Sequence, residues 1–288
     1  MSTISPKAVV REHLARLGIK PKKGLGQNFL VNPGVTKKVV AAAELTEADT
    51  VVEIGPGLGT LTEELAKSAG KIVAVEIDRN LITILKRAFR EYRSVCFVEG
   101  DALEEDINTL VAEAGGAFPY KVVANLPYYI TTPLLLRFIS GGLKTSLLVL
   151  MVQKEVALRL VAGPGTKEYG SISVLVGYKT RPELVAMVSR GSFFPAPEVD
   201  SAIVRLEVRS RPPVVVPDEE LLFRVVRGAF GQRRKTLLNA LAGSGLGLSR
   251  EALKALLVQA GIDPGRRGET LNLEEFSAVA RSLSRGEV

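Results

Sequence analysis

The sequence has few of the residues that metal and thiol chemistry require. Its 288 residues include one cysteine, Cys96, one histidine, His13, and no tryptophan. A single cysteine cannot form an intramolecular disulfide, and one cysteine with one histidine is too few for a zinc site of the usual ligand type. The same scarcity argues against a cysteine–histidine catalytic pair. We therefore expect no bound metal and no oxidising compartment.

A long apolar run is also missing. The longest strongly apolar stretch is residues 147–152, far short of the roughly 20 residues that a membrane-spanning helix needs. The N-terminus carries charged residues but no long apolar segment, which is not typical of a secretory signal. These absences predict a cytoplasmic protein without a membrane partner.

Positive charge is in excess. The chain has 38 lysines and arginines against 31 acidic residues, a net charge of +7 and an isoelectric point of about 9.5, and 46% of its residues are hydrophobic. That apolar content is enough for a packed core. A basic balance is typical of proteins with a polyanionic partner, such as a nucleic acid or an anionic membrane surface. Some soluble proteins are basic without such a partner, so charge alone leaves both readings open.

Strand and helix patterns alternate through the first half of the chain. Short β-branched or apolar runs predict strands at residues 50–55, 71–77, 94–99, 120–124 and 146–152. Helical spacing of apolar residues predicts helices at residues 60–68, 79–89 and 133–139. Such alternation indicates an α/β fold, a parallel sheet with right-handed crossovers and helices on both faces.

The pattern changes toward the C-terminus. Residues 172–178 and 201–208 look like strands, and the proline-rich stretch 211–217 marks a domain boundary. Beyond it the apolar spacing is helical, Ser249 is placed to cap a helix that ends at Gly261, and Asn272 with Glu275 resembles a capping box. We predict a domain at residues 1–210, with residues 1–48 as a helical, basic lead-in, and a small all-helical domain at residues 211–288.

A glycine-rich loop follows the first predicted strand. Gly55, Gly57 and Gly59 permit a sharp turn and the close approach of a ligand to the backbone. A nicotinamide site requires G-x-G-x-x-G, whereas position 60 is Thr. The pattern here is E-x-G-x-G-x-G, which resembles the first motif of Rossmann-like class I methyltransferases. Taken alone, the loop is also compatible with an ordinary tight turn.

Two acids follow at the ends of the next two strands. Glu76 lies 21 residues after Gly55, where a carboxylate can accept both hydroxyls of a ribose. Asp101 can accept a hydrogen bond from an adenine amino group, although a lone acid there is more often a helix cap. The order of glycine loop, ribose acid and adenine acid favours a nucleoside cofactor, because open α/β sheets bind ligands at the carboxyl ends of successive strands.

The fourth strand ends in Asn125-Leu126-Pro127-Tyr128, which resembles the [N/D/S]-P-P-[Y/F] motif of amino-group methyltransferases. An exocyclic amine is a poor nucleophile, and carbonyl acceptors around it favour its attacking geometry. Pro127 stiffens the turn, and Tyr128 can stack on the base. An ordinary Asn-x-Pro turn is the alternative. A C5-pyrimidine methyltransferase needs a cysteine nucleophile, and Cys96 lies in mid-strand, so that subclass is not favoured.

Four motifs in order carry a specific resemblance. They are Lys23-Gly24-Leu25-Gly26-Gln27-Asn28-Phe29-Leu30, Val52-Glu53-Ile54-Gly55-Pro56-Gly57-Leu58-Gly59, Asn125-Leu126-Pro127-Tyr128-Tyr129-Ile130 and Phe193-Phe194-Pro195-Ala196-Pro197-Glu198-Val199-Asp200-Ser201. Over nearly its whole length the chain resembles the ribosomal RNA adenine dimethyltransferase family, and in particular the bacterial enzymes that dimethylate two adjacent adenines near the 3′ end of 16S rRNA in the small subunit.

The resemblance implies the cofactor and its contacts. The cofactor would be S-adenosyl-L-methionine, and the residues around it would be Gln27, Asn28, Leu30, Gly55, Gly57, Glu76, Ile77, Asp101, Ala102 and Asn125. It also implies that Asn125, Leu126, Pro127 and Tyr128 form the catalytic site, with Phe193 against the target adenine opposite Tyr128. We further expect a monomer that contributes to ribosome biogenesis.

Basic residues predict where RNA binds. Residues 221–241 carry Arg224, Arg227, Arg233, Arg234 and Lys235 and no acid, and Lys22 and Lys23 adjoin the Gly24–Gly26 turn as a second basic lip. Phosphate contacts from such a face would be salt-dependent. A merely solvated helix face is the alternative.

Two other functions stay open at this point. One is the related large-subunit adenine methyltransferase that confers antibiotic resistance. The other is a ribosome-assembly or transcription factor that keeps the fold without catalysis, against which the intact Gly55–Gly59 and Asn125–Tyr128 motifs argue.

Overall fold

The structure, a computed structural model, describes residues 10, 12, 14, 15, 18–140 and 142–285. His13 and the side chain of Lys23 lie outside this described part. The chain divides into two compact units, Met1–Ala157 with Glu183–Val208, and Leu158–Pro182 with Arg209–Val288.

The second unit therefore begins earlier than the single predicted boundary near residue 210. Residues 158–182 were expected in the first domain but belong to the second unit. The reason is packing, because Tyr169, Val174 and Tyr178 are buried in the same apolar cluster as the C-terminal helices. The sequence did not indicate that the chain enters the second unit at residue 158 and comes back to the first at residue 183.

The first unit contains a seven-stranded sheet and a two-stranded one. The strands are β1 Phe29–Leu30, β2 Thr50–Ile54, β3 Lys71–Glu76, β4 Val95–Glu99, β5 Tyr120–Asn125, β6 Thr145–Gln153, β7 Thr180–Val188, β8 Phe193–Phe194 and β9 Ser201–Val208. The large sheet has the order β4-β3-β2-β5-β6-β9-β7, and β1 pairs with β8. Strands β2 to β6 pair in parallel, and β9 is antiparallel to β6. The predicted α/β class is confirmed.

Between residues 30 and 140, where the structure is described throughout, five α-helices accompany these strands. They are α1 Pro33–Ala42, α2 Thr60–Leu65, α3 Arg79–Ala88, α4 Ile107–Glu113 and α5 Thr131–Ser140. Helices α1 and α3 begin at polar caps, since Asn32 accepts a hydrogen bond from Gly34 N and Asp78 accepts one from Asn80 N. Strand β6 is buried along most of its length, as expected for a strand covered on both faces. The core therefore lies on both sides of the sheet, and the loops at its carboxyl edge are left for the site.

The second unit is helical, apart from the first residues of β7. Helix α6, Lys154–Val161, enters it, and the others are α7 Ser171–Lys179, α8 Glu219–Gly231, α9 Leu237–Ala242, α10 Arg250–Gln259 and α11 Leu273–Arg285. Two predicted caps are confirmed. Ser249 Oγ accepts a hydrogen bond from Ala252 N at 3.1 Å, and Asn272 and Glu275 bond each other's backbone N–H at 2.8 and 2.9 Å.

One predicted strand is a helix. Residues 172–178 were expected to be extended, yet they form the body of α7. A short, continuous apolar run has no periodicity that separates a buried strand from a buried helix. The local hydrogen bonds favour the helix, because Gly170 N donates to Ser173 Oγ at 3.1 Å and Ser173 N donates to Gly170 O at 3.0 Å. The strand β7 that follows, and helices α4 and α6, were not predicted.

Candidate active site

A cavity opens at the carboxyl ends of β2, β3, β4 and β5 in the first unit. It is the place where an open α/β sheet binds its ligand. All but one of the residues predicted to bind the cofactor or act in catalysis line it, namely Gln27, Asn28, Leu30, Gly55, Gly57, Glu76, Ile77, Asp101, Ala102, Asn125, Leu126, Pro127 and Tyr128. Phe193 is the exception.

The glycine loop forms the floor of this cavity. Gly55, Gly57 and Gly59 have φ angles of 67°, 60° and 81°, the left-handed region that favours glycine. A Cβ atom on Gly57 would lie 3.1 Å from the ring of Phe29. A side chain at Gly57 would thus be crowded and would strain the backbone, whereas the bare main chain leaves space for a ligand to approach.

Glu76 joins this loop to the next strand. Its side chain is buried, Oε2 accepts a hydrogen bond from Gly57 N at 3.2 Å, and Oε1 accepts one from Asp78 N at 2.9 Å. Burial raises the pKa of Glu76, although these backbone hydrogen bonds oppose the rise. Each carboxylate oxygen has a further lone pair, so the side chain can accept a sugar hydroxyl while it holds the loop.

Glu53 is a second buried acid at the cavity. It is 1% exposed, and its Oε2 atom has no hydrogen-bond partner in the described part of the chain. Burial, with a smaller contribution from the charge of Glu76, raises the pKa of Glu53 to about 8, so it is mostly protonated at neutral pH. In the sequence Glu53 was noted only as the first position of the E-x-G-x-G-x-G motif. The missed signal was an acid within an otherwise apolar strand.

Asp101 and Ala102 lie in the loop after β4. Asp101 Oδ1 accepts a hydrogen bond from Leu103 N at 2.8 Å, and the half-buried side chain lines the cavity. Arg137 from α5 donates to the carbonyl of Ala102 at 2.7 Å and also bonds the carbonyl of Glu105. A guanidinium bound to two backbone carbonyls fixes this loop, and with it the position of Asp101.

The tetrapeptide follows β5. Asn125 Nδ2 donates to the carbonyl of Asn28 at 3.2 Å, and Asn125 Oδ1 has no hydrogen-bond partner among the described residues. Leu126 is buried and donates its N–H to Met151 O at 3.2 Å. Pro127 then begins a short 3-10 turn, Tyr128–Ile130. One side of the asparagine amide is thus held while its oxygen remains free to accept a hydrogen bond.

Two tyrosines follow Pro127. The hydroxyl of Tyr128 is 2.8 Å from Ser201 Oγ, which holds the half-buried ring at the cavity wall. Tyr129 also lines the cavity and is 54% exposed. Tyr129 was not singled out from the sequence, because two adjacent tyrosines carry no sign of whether one or both line a site.

Phe193, which was expected to face the target adenine, does not line the cavity. Its side chain is 1% exposed, packs within the apolar core of the first unit and is absent from the cavity lining. Side chains alternate along a strand, so its neighbour Phe194 takes the other face of β8 and is only partly buried. In this structure Phe193 is therefore a core residue of the first unit and not part of the cavity surface.

The predicted basic residues differ in whether an acidic side chain already pairs with them. Lys22 pairs with Asp78 at 2.8 Å, and Arg233 pairs with Glu269 at 2.7 Å. The side chains of Arg224 and Arg227 line a cavity of about 300 Å³ within the second unit, and neither has an ion pair or hydrogen bond in the described part of the chain. Arg234 and Lys235 are exposed.

In the described part of the chain, no group of three or more His, Cys, Asp or Glu side chains is arranged to hold a metal ion. Every described helix falls short of the length and apolarity needed to cross a bilayer.

Comparison with known proteins identifies relatives over nearly the full length. A sequence model of the family described as ribosomal RNA adenine dimethylase matches residues 18–283. A protein of Pelotomaculum thermopropionicum named ribosomal RNA small subunit methyltransferase A is 52% identical, with 98% of each chain covered. A protein of the same name from Moorella thermoacetica is 51% identical, with 96% of each chain covered.

Solved structures share the fold. A dimethyladenosine transferase from Plasmodium falciparum has a TM-score of 0.71 at 28% identity and covers 87% of this chain and 95% of its own. The 23S rRNA methyltransferase ErmE has a TM-score of 0.70 at 26% identity, with coverages of 89% and 100%. The class I methyltransferase fold expected from the resemblance is therefore confirmed. Given the extent of the family match, the chain belongs to the ribosomal RNA adenine dimethylase family of S-adenosylmethionine-dependent enzymes.

Proposed function

We propose that this protein transfers methyl groups from S-adenosylmethionine to N6 of two adjacent adenines near the 3′ end of 16S rRNA, and thereby contributes to ribosome biogenesis. The observation that carries the proposal is the free Oδ1 of Asn125 at the cavity that Gly57 and Glu76 also line. The choice of the small subunit rests on relatives named small subunit methyltransferase A at 52% and 51% identity.

The cavity fits the cofactor on its own geometry. The left-handed loop leaves its backbone open to a ligand, while a side chain at Gly57 would crowd Phe29. Glu76 and Asp101 offer carboxylate oxygens to ribose hydroxyls and an adenine amine. We infer that Gly55, Gly57, Glu76, Ile77, Asp101 and Ala102 hold the nucleoside part, and that Gln27, Asn28 and Leu30 close its other side. When bound, S-adenosylmethionine supplies an electrophilic methyl group.

The chain's own contribution to transfer is orientation. Asn125 Oδ1 accepts a hydrogen bond from the N–H of the target amine, because its Nδ2 is already held by Asn28 O. An acceptor placed before the reaction favours the pyramidal amine as positive charge develops. Leu126 and Pro127 keep this acceptor in place, and the ring of Tyr128 stacks on the base, a contact worth roughly 1–3 kcal/mol. The methylated amine becomes acidic, so no strong general base is required.

RNA binding involves basic residues of both units. We infer that Lys22, Lys23, Arg224, Arg227, Arg233, Arg234 and Lys235 contact phosphates, with the two unpaired arginines of α8 as the main contacts. The target base has to be unpaired or flipped, at a cost of a few kcal/mol. A cytoplasmic location and a monomeric state remain predictions from the sequence.

A large-subunit substrate is the second candidate. Its support is the fold shared with ErmE, a 23S rRNA methyltransferase, at a TM-score of 0.70. That relative is 26% identical, against 52% for a small-subunit relative, so the small subunit is favoured.

Mapping of transferred label tests the proposal. The protein is incubated with methyl-labelled S-adenosylmethionine and either unmethylated small subunits or unmethylated large subunits, and the modified nucleotides are identified by digestion and mass spectrometry. Label on N6 of two adjacent adenines of 16S rRNA is expected, and small subunits that already carry the methyl groups serve as the control. Label confined to 23S rRNA would favour the second candidate, and label absent from adenine N6 in both would reject adenine methylation.

A further inference from the structure

Asp78 lies just outside the cavity, two residues after Glu76. Its side chain is only 3% exposed, and both carboxylate oxygens accept hydrogen bonds. Oδ1 accepts hydrogen bonds from Lys22 Nζ at 2.8 Å and from Asn80 N at 3.1 Å, and Oδ2 accepts one from Gln27 Nε2 at 2.9 Å. Two of these donors come from a segment more than 50 positions away, so Asp78 does more than cap its own helix.

That distant segment, residues 22–30, forms a strap. Residues 25–30 of the strap line the cavity. Its first turn closes on itself, because Lys22 N donates to Gln27 Oε1 at 2.8 Å and Leu25 N donates to Lys22 O at 3.1 Å. Gln27 therefore uses its amide oxygen within the strap and its amide nitrogen on Asp78.

The strap also reaches the catalytic side of the cavity. Asn28 O accepts the hydrogen bond from Asn125 Nδ2, and Asn28 Nδ2 donates to Gly26 O at 3.0 Å. At the opposite side, Asp78 N donates to Glu76 Oε1. Asp78 is thus bonded both to the acid expected to hold the ribose and to the segment that positions the amide of Asn125.

The charge of Asp78 is maintained by these contacts. Burial by itself would raise the pKa of Asp78, but hydrogen bonds from Lys22, Gln27 and Asn80 N outweigh it and lower the pKa below the usual value. A buried carboxylate without its cation is costly. Removal of the Lys22 ammonium therefore favours opening of the strap rather than a closed strap with an unpaired charge.

We propose that Asp78 is a positioning residue that clasps the strap over bound S-adenosylmethionine through Lys22 and Gln27. The proposal rests on the proposed function only for the identity of the cofactor. The clasp slows cofactor release and keeps Asn28 O in place for Asn125, while Asp78 itself touches neither cofactor nor RNA.

Three substitutions separate the clasp from helix capping. Asp78→Asn removes the charge but leaves an oxygen to accept the bond from Asn80 N. Lys22→Met removes the ammonium and leaves Asp78 untouched, and Lys22→Arg restores a cation. Asp106→Asn is the matched control, because Asp106 also caps a helix, with bonds from Thr109 N at 3.2 Å and Thr109 Oγ1 at 2.8 Å, and does not line the cavity.

Two measurements on the full-length protein test the clasp. Binding of S-adenosylhomocysteine by titration calorimetry should weaken about tenfold in Asp78→Asn and in Lys22→Met, the usual effect of a lost charge-assisted hydrogen bond. Hydrogen–deuterium exchange of strap amides should be faster in both variants without ligand. For Lys22→Arg and Asp106→Asn, S-adenosylhomocysteine affinity and strap exchange, both measured without RNA, should stay within about twofold of wild type. In turnover assays, KM for S-adenosylmethionine should rise while kcat changes less, because saturating cofactor closes the strap again.

The outcomes separate this proposal from the proposed function. If the wild-type protein binds no S-adenosylhomocysteine, the proposed cofactor is wrong, and strap exchange still decides on the clasp. Wild-type exchange of the strap in both Asp78→Asn and Lys22→Met would overturn the clasp, whatever happens to affinity. Weaker binding in Asp78→Asn with unchanged binding in Lys22→Met would also overturn the clasp as proposed, since the Lys22 ammonium would then play no part in holding the strap.

Discussion

At the scale of a residue, Asn125 shows how one amide is divided between structure and chemistry. Its nitrogen is bound to Asn28 O and its oxygen is free at the cavity. We expect Asn125→Ala to lower kcat by about 10²–10³-fold, the effect of losing one preorganised polar group at a reacting centre. Cofactor affinity should largely persist, because the glycine loop and Glu76 are unchanged.

Initial rates and titration with S-adenosylhomocysteine measure these two effects separately. Turnover retained in Asn125→Ala would remove this side chain from the catalytic role, whereas a loss of binding as large as the loss of rate would make it a cofactor ligand instead.

Glu53 predicts a pH dependence of stability. Its pKa in the folded protein is about 8, above the ordinary value of 4.5, so the folded state holds a proton that the unfolded state releases between these two pH values. The free energy of unfolding contributed by this group therefore falls as pH rises from about 4.5 to about 8 and is constant outside that window. Glu53→Gln should remove this decrease from the plot of unfolding free energy against pH.

Urea unfolding of both proteins between pH 5 and pH 8 provides the measurement. Glu63→Gln, an exposed glutamate on α2, is the matched control and should keep the wild-type slope. Parallel curves for wild type and Glu53→Gln would show that Glu53 titrates alike in the folded and unfolded states.

At the scale of an element, the glycine loop and α2 depend on close packing. A Cβ atom on Gly59, which has a φ of 81°, would lie 2.6 Å from the ring of Phe89 and 3.0 Å from Leu85. Gly59→Ala should therefore destabilise the protein by about 2–5 kcal/mol, as backbone strain and overpacking add.

Gly115→Ala separates the two contributions. Gly115 has a similar φ of 71°, but nothing lies within 4 Å of its added Cβ, so only strain of about 1 kcal/mol is expected. Thermal or urea unfolding compares the variants, and equal losses would mean that the ring of Phe89 moves aside at no cost.

The basic face of α8 predicts the salt dependence of RNA binding. Arg224 and Arg227 are exposed and unpaired in the described part of the chain, whereas Lys67 is bonded to Glu64. Arg224→Gln and Arg227→Gln should each weaken binding of 16S rRNA and lower the slope of log K against log salt by about one. Lys67→Gln is the control for a lost surface charge.

Filter binding at several salt concentrations measures the slope. A slope unchanged in both arginine variants would place RNA elsewhere on the protein.

At the scale of the whole molecule, each unit has its own apolar core. Phe276 is fully buried in the core of the second unit, and the proposed cofactor cavity lies in the first. Phe276→Ala should lower stability by about 3–5 kcal/mol, while the folded fraction binds S-adenosylhomocysteine with wild-type affinity. Calorimetric unfolding and ligand titration at low temperature test both statements, and weakened binding by a folded variant would show that the two cores are coupled.

Much of the fold could be predicted from local patterns. Strands β2 to β6, the cap at Ser249 and the Asn272–Glu275 capping box all depend on residues close together in the chain, and all are confirmed. The order of the glycine loop, Glu76, Asp101 and Asn125 predicted one shared cavity, because parallel strands bring their carboxyl ends to the same edge. The type of secondary structure was predicted wrongly where a short apolar run had no periodicity, as in α7.

The sequence by itself determined the family, the α/β class and the residues that meet at the carboxyl edge of the sheet. Tertiary structure decided which aromatic side chains line the cavity: Tyr129 does so, whereas Phe193 is buried in the core. It also decided which charges are already bonded, as with Lys22 on Asp78 and Arg233 on Glu269. The physical reason is range: propensity, capping and strand order act between residues near in sequence, whereas burial and ion pairing depend on side chains that only the packed chain brings within a few ångströms.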